Sequence, residues 1–179
     1  LTYAVSSVGG MDVGVSAASN VDIQFTAVNA NEPVAWVTSG MTPPGLPFLN
    51  GTVLVLRGSP VVMGRFEMTV RATDAIGLTD SLDVSVTVGA PDVGLQVMAG
   101  PFIGGGAVDQ ALASFLDRQG NFDGTYDLGD FRGWVLDNPN HPVNRSPAAA
   151  GTANGASNGA SNGAATAPIV IPLFSEGRR

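Results

Sequence analysis

Two stretches of strict alternation constrain the fold of this chain more than anything else in it. Phe66, Met68, Val70 and Ala72 alternate with Arg65, Glu67, Thr69 and Arg71, and Leu82, Val84, Val86 and Val88 alternate with Ser81, Asp83, Ser85 and Thr87. Successive side chains of a strand point to opposite faces, so each stretch offers one apolar face and one wet face. Two sheets packed face to face bury both stripes at once. Further short β-type runs lie between Gly, Pro and Asn clusters, which places strands near 2–7, 11–16, 21–28, 33–38 and 52–57 as well as 64–73 and 80–88. The fold class expected is mainly β.

Composition narrows the setting. At 179 residues the chain has room for one ordinary domain and a small one. It has no cysteine, so stability outside the cytosol must come from a core and from bound metal rather than from disulfides. A net charge of −7, from 15 acidic and 8 basic residues, argues against a nucleic-acid partner. No apolar run approaches 18 residues, so no membrane span is expected. Only 13% of residues are charged, and small residues and Val dominate, the look of an extracellular β-protein. With neither an initiating Met nor a signal peptide, the sequence reads as an internal or C-terminal piece of something longer.

Several short motifs between the strands follow in a fixed order: Pro33-Val-Ala-Trp-Val-Thr-Ser-Gly40, Pro43-Pro-Gly-Leu46, Gly58-Ser-Pro60, then Gly64-Arg-Phe-Glu-Met-Thr-Val-Arg-Ala-Thr-Asp74 and Gly77. Over about residues 21–89 this resembles the Ig-like, cadherin-like repeat common in bacterial surface and secreted proteins. The resemblance implies a seven-stranded sandwich serving as spacer or adhesion module, with Trp36 in the core between the sheets. Asp74 and Glu32 invite comparison with interdomain cadherin calcium sites. Thr-Asp before a glycine turn is explained by turn hydrogen bonding, and the paired acidic motifs of such a site are missing.

A different chemistry is concentrated at 117–130, where four carboxylates and an amide surround a glycine. Against the calcium-loop pattern D-x-[DN]-x-[DN]-G-x5-E, Asn121 falls at position 3, Asp123 at 5, Gly124 at 6, Thr125 at 7, Asp127 at 9 and Asp130 at 12. Ca²⁺ takes about six to eight hard oxygens, and only a tightly wrapped chain delivers them from one segment. Gly124 permits the wrap because it tolerates φ > 0. Position 1 is Gln119, with Asp117 two residues earlier as the other candidate. The bland alternative is an acidic surface loop in which Asn-x-Asp-Gly is turn chemistry.

Apolar residues at helical spacing flank the loop: Val108, Ala111, Leu112, Phe115 and Leu116 before it, and Leu128, Phe131, Trp134 and Val135 after it, up to Asn138-Pro139. Helix, loop and helix make an EF-hand-like unit. The run Leu116-Asp117, Asn121-Phe122-Asp123-Gly124, Asp127 and Asp130 resembles the type I dockerin repeat, which implies calcium-stabilised structure. Dockerins recognise cohesins through two tandem repeats; a single one is found here, so cohesin binding does not carry over.

The remaining segments are simpler. Residues 1–20 hold a strand that belongs either to the sandwich or to a preceding repeat, and 91–106 reads as a linker. From 140 to 167 the repeats starting at Asn154, Asn158 and Asn162 are too small and polar to fold alone and read as a flexible linker. At 168–179, Pro168-Ile-Val-Ile-Pro-Leu-Phe174 is an apolar β-type run that could dock on this chain or on another. Catalysis is not expected: there is one His, His141, in a loop, no Cys and no nucleophile elbow. The expected whole is an Ig-like/cadherin-like sandwich at 21–90, a dockerin-like calcium helix-loop-helix at 107–139 and a tail. Its function is that of an extracellular, non-catalytic spacer, anchor or docking unit whose partners are other protein modules or copies of itself. The competing classes are a subunit of a self-assembling fibre or surface layer using strand donation, and a carbohydrate-binding appendage of a secreted hydrolase.

Overall fold

In the computed structural model the alternating runs become the two longest strands, paired antiparallel from Gly64↔Val88 to Thr73↔Thr79. The structure describes residues 3–4, 10–139 and 166–172, with side chains described over 10–139. They form two compact units that divide after Ala90, with 166–172 joining the first.

The first unit is a two-sheet sandwich. Its strands are β1 Tyr3–Ala4, β2 Met11–Ser16, β3 Val21–Val28, β4 Ala35–Gly40, β5 Phe48–Asn50, β6 Leu54–Gly58, β7 Gly64–Thr73, β8 Thr79–Gly89 and β9 Thr166–Pro172. One sheet has the order β1-β9-β3-β6-β5 and the other β2-β8-β7-β4. Phe66, Met68, Val70, Ala72, Leu82, Val84, Val86 and Val88 are buried, as are Val21, Ile23, Phe25, Leu54 and Leu56 from the first sheet. The period-two stripes are therefore the two inner faces of the sandwich.

The structure also corrects several expectations. Residues 11–16 pair with β8 from Met11↔Val84 to Ser16↔Gly89, so the N-terminal segment is part of this sandwich. The fourth strand lies two residues later than expected, and β5 is a strand the sequence did not suggest. Trp36 pairs with the buried Ala72 and so shares its face, yet it sits on the edge strand β4, is only half-buried and leaves its indole N–H without a partner. The apolar C-terminal run forms β9 beginning at Thr166; Leu173 and Phe174 lie outside the described residues, as do His141 and the Asn-Gly-Ala repeats.

Two of the loop motifs are explained by where they meet. Gly45 (φ 88°) and Gly58 (φ 148°) lie back to back, and a Cβ on either would run into the backbone of the opposite segment. Ser59 N–H donates to Gly45 C=O (3.0 Å) and Val61 N–H to Pro44 C=O (2.9 Å), stitching the 43–46 loop to the end of β6 while Leu46 plugs the core. Only glycine allows both the backbone conformation and the approach.

Asp74 closes the β7–β8 turn. Its carboxylate accepts from the Asn31 side chain (3.0 Å) and from the backbone N–H of Asn31, Ile76 and Leu78. Desolvation alone would raise this carboxyl, but those hydrogen bonds, the Asn31 side chain foremost, outweigh it and hold it below its ordinary range. Among the described residues Glu32 accepts from Val34 N–H (3.3 Å), so both acids do turn chemistry.

Replacing Gly45 by Ala tests the stitch. It should cost the sandwich at least ~2 kcal/mol in urea denaturation, since the added methyl has neither an allowed φ nor space. An unchanged midpoint would mean that the two segments do not meet as described.

Candidate metal centre

The second unit has three helices where two were expected. The stretch read as a linker contains α1 Leu95–Ile103, which buries Met98 and ends at Gly104 in the left-handed conformation. Next come α2 Gln110–Gln119 and α3 Leu128–Asp137. Asp109 caps α2 by accepting from Leu112 N–H (2.9 Å). Leu112, Phe115, Leu116 and Trp134 are buried between α2 and α3, with the Phe115 and Trp134 rings edge-on at 5.3 Å. Phe102 of α1 packs against Tyr126 (5.4 Å) and Phe131 (6.0 Å).

The connection from α2 to α3 is held by carboxylates acting as backbone acceptors. Asp130, fully buried, accepts from Asn121 N–H (3.0 Å) with one oxygen and from Asp127 N–H (2.9 Å) with the other, tying both ends of the loop to one side chain. Asp127 in turn caps α3 through Gly129 N–H (2.6 Å) and Asp130 N–H (3.2 Å), a reciprocal capping box. Asp117, 5% exposed, reaches across to Gly124 N–H (3.1 Å). Asn121 accepts from Asp123 N–H and Asp123 from Thr125 N–H, two successive Asx turns. Gly124 has φ 90°, as the loop pattern requires. At Gly120 there is no room for a side chain, because a Cβ would lie 2.6 Å from the Cα of Asp130.

Six of the seven residues singled out in the sequence therefore fall into two groups. Asp117 and Asp130 are buried on the inner side of the loop; Asn121, Asp123, Thr125 and Asp127 are exposed along its outside. Gln119, the last residue of α2, is half-buried, and Asp117, not Gln119, is joined by a side-chain hydrogen bond to the backbone of Gly124. A cavity of about 160 Å³, lined in part by Asp117, Phe122, Gly124 and Tyr126, lies against the loop. The donors are hard oxygens of the kind Ca²⁺ takes, but they are spread along the loop: among the described residues no three His, Cys, Asp or Glu side chains form a group able to hold a metal ion.

Charge balance in the loop is one-sided. Among the described residues no ion pair joins Asp117, Asp123, Asp127 or Asp130 to a cation. Arg118, the nearest in sequence, lies over the Phe122 ring at 4.5 Å instead.

Comparison with known proteins bears on the first unit. Residues 4–89 match the family model described as "Putative Ig domain". The match supports an Ig-like domain over this stretch. One similar solved structure is a putative alpha-galactosidase/melibiase from Bacteroides fragilis NCTC 9343, 24% identical with a TM-score of 0.36; the likeness covers 44% of this chain and 16% of that one. No curated protein matches the sequence. The matched residues contain Ala4 of β1 and all of β2 to β8, whereas the three-helix unit and β9 lie outside them. Among the described residues no helix is long and apolar enough to cross a membrane.

One residue outside the candidate ligand set reports on the loop. Tyr126 donates its hydroxyl to Met98 C=O (2.7 Å), which joins the loop to α1. Burial and the neighbouring Asp130 charge push this phenol up from 10.0 to about 12. The neutral phenol is thus the form the fold prefers. Its contribution is complete below pH 10 and is lost as pH rises through about 12. In an ultraviolet titration of the folded protein one tyrosine should ionise near pH 12, and Tyr126→Phe should abolish that phase. If both tyrosines ionise together near pH 10, Tyr126 is not buried beside a charged Asp130.

Proposed function

We propose that this chain is a non-catalytic extracellular structural piece in which an Ig-like domain acts as spacer or adhesion module and the three-helix unit is locked by Ca²⁺. Asp117, Asp123, Asp127 and Asp130, with the Asn121 side chain and the Thr125 carbonyl, supply the oxygens, and Gln119 lies beside them at the end of α2. The observation that carries this reading is the pair of buried carboxylates, Asp117 and Asp130, without a cationic partner among the described residues. Backbone N–H groups satisfy some of their lone pairs but bring no net charge, and a buried charge without a counter-charge is costly. A divalent cation would neutralise the loop and draw the exposed Asp123 and Asp127 toward the buried pair. Because such a unit has a small apolar core and no disulfide, the metal would contribute directly to its folding.

Calorimetric titration of the chelator-treated protein tests this. Ca²⁺ should bind with one-to-one stoichiometry, Mg²⁺ more weakly, and Asp123→Ala should reduce the affinity at least tenfold. An independent optical readout accompanies it: neutralising Asp130 removes part of what holds the Tyr126 phenol up, so Ca²⁺ should lower its ionisation midpoint. No heat and no shift of Tyr126 would leave the loop as a turn held by hydrogen bonds alone.

A further inference from the structure

Among the described strands of the sandwich β9 alone lies wholly outside the matched residues 4–89, and it enters the sheet from far away in the chain. Asp22↔Thr166 through Val28↔Pro172 run parallel, and the other side of β9 pairs Tyr3↔Ile169 and Ala4↔Val170. Ala167, Ile169 and Ile171 stand in register with Ile23, Phe25 and Ala27, of which Ile23 and Phe25 are core residues. β3 is bonded to β6 only through Phe25, so among the described residues Ala27 and Val28 find their ladder partners in β9 alone. β1 likewise pairs only with β9.

We infer that the edge of β3 is a strand-acceptor site for this chain's own C-terminal segment, and that the segment of one copy can fill the site of a second copy. An uncovered β3 would present unpaired N–H and C=O groups beside an apolar core, the situation in which strands recruit strands. The sequence of β9 suits a limited addition. Pro168, inside the strand, and Pro172, at its end, each remove a backbone donor, so β9 pairs through a short stretch only. Twenty-six residues, 140–165, separate the three-helix unit from β9. At roughly 3.5 Å each they span up to about 90 Å, ample for a neighbour's site. Pairing within one chain is intramolecular, so the cis arrangement prevails in dilute solution and exchange needs crowding or loss of the cis strand. The inference is independent of the calcium reading.

The test uses the full chain with Ile169→Asp and Ile171→Asp, calcium being present throughout. Hydrogen exchange at Ala27 and Val28 should become at least tenfold faster than in the wild type, and saturating amounts of a synthetic peptide of residues 166–172 should restore protection while a scrambled peptide does not. Restoration should also come from a second full-length copy that carries Phe25→Asp, since its own acceptor is spoiled but its β9 is intact whether or not its sandwich folds. Unchanged exchange in the double variant, or no restoration by the peptide, would overturn the acceptor site. Restoration by peptide but not by the second copy would overturn exchange between copies.

Discussion

The burial of β7 and β8 against β3 and β6 is the interaction on which the rest of the first unit hangs. Each of these strands offers one apolar face, and the two sheets meet through them with Phe25, Ile23, Leu54, Leu56, Val70 and Val86 almost wholly excluded from water. Each such side chain contributes on the order of 1.5–3 kcal/mol. In a chain without cysteine, nothing covalent supports this packing. The polar devices of the sandwich serve to place those faces. The glycine contact between Gly45 and Gly58 brings Leu46 into the core, and the Asp74 cluster fixes the turn that sets the long β7–β8 register.

The helical unit is organised on a different balance. Its apolar core is a handful of residues, and its geometry is set by acids that accept from backbone N–H groups, with Asp130 joining both ends of the loop and Asp127 starting α3. Such acceptors specify shape at the cost of concentrating negative charge. Burial of Asp117 and Asp130 makes that cost acute, which is why the cation we propose is assigned to this unit and not to the sandwich. In the sandwich, by contrast, Asp22 pairs with Arg57, and Asp12 and Glu67 share Arg65.

What was legible in the sequence follows these two regimes. β7 begins and ends where the alternation says, and β8 differs by one residue at each end, because a half-buried strand writes its period directly into the residues; β2 and β3 lie where the β-type runs between turn clusters placed them. β5 was hidden because it has three residues, pinned between Pro47 and Gly51. The α1 helix was hidden by Gly100-Pro101 and the following glycines, which look like a linker; yet Gly100 is where the backbone packs closely against Gly105 and Gly106, and Pro101 lies close to the helix end. Trp36 was assigned to the right face, but edge position cannot be read from a motif. In the loop, the residue types were evident, whereas the division into a buried pair and an exposed set depends on how α2 and α3 pack.

The central claim is that packing alone stabilises one unit and that the other requires a cation. Scanning calorimetry of the full chain, with Ca²⁺ and with excess chelator, tests it most directly. The account predicts two transitions, of which only the one belonging to the helical unit moves to lower temperature when Ca²⁺ is removed. A single transition that shifts as a whole, or two transitions indifferent to the metal, would contradict it.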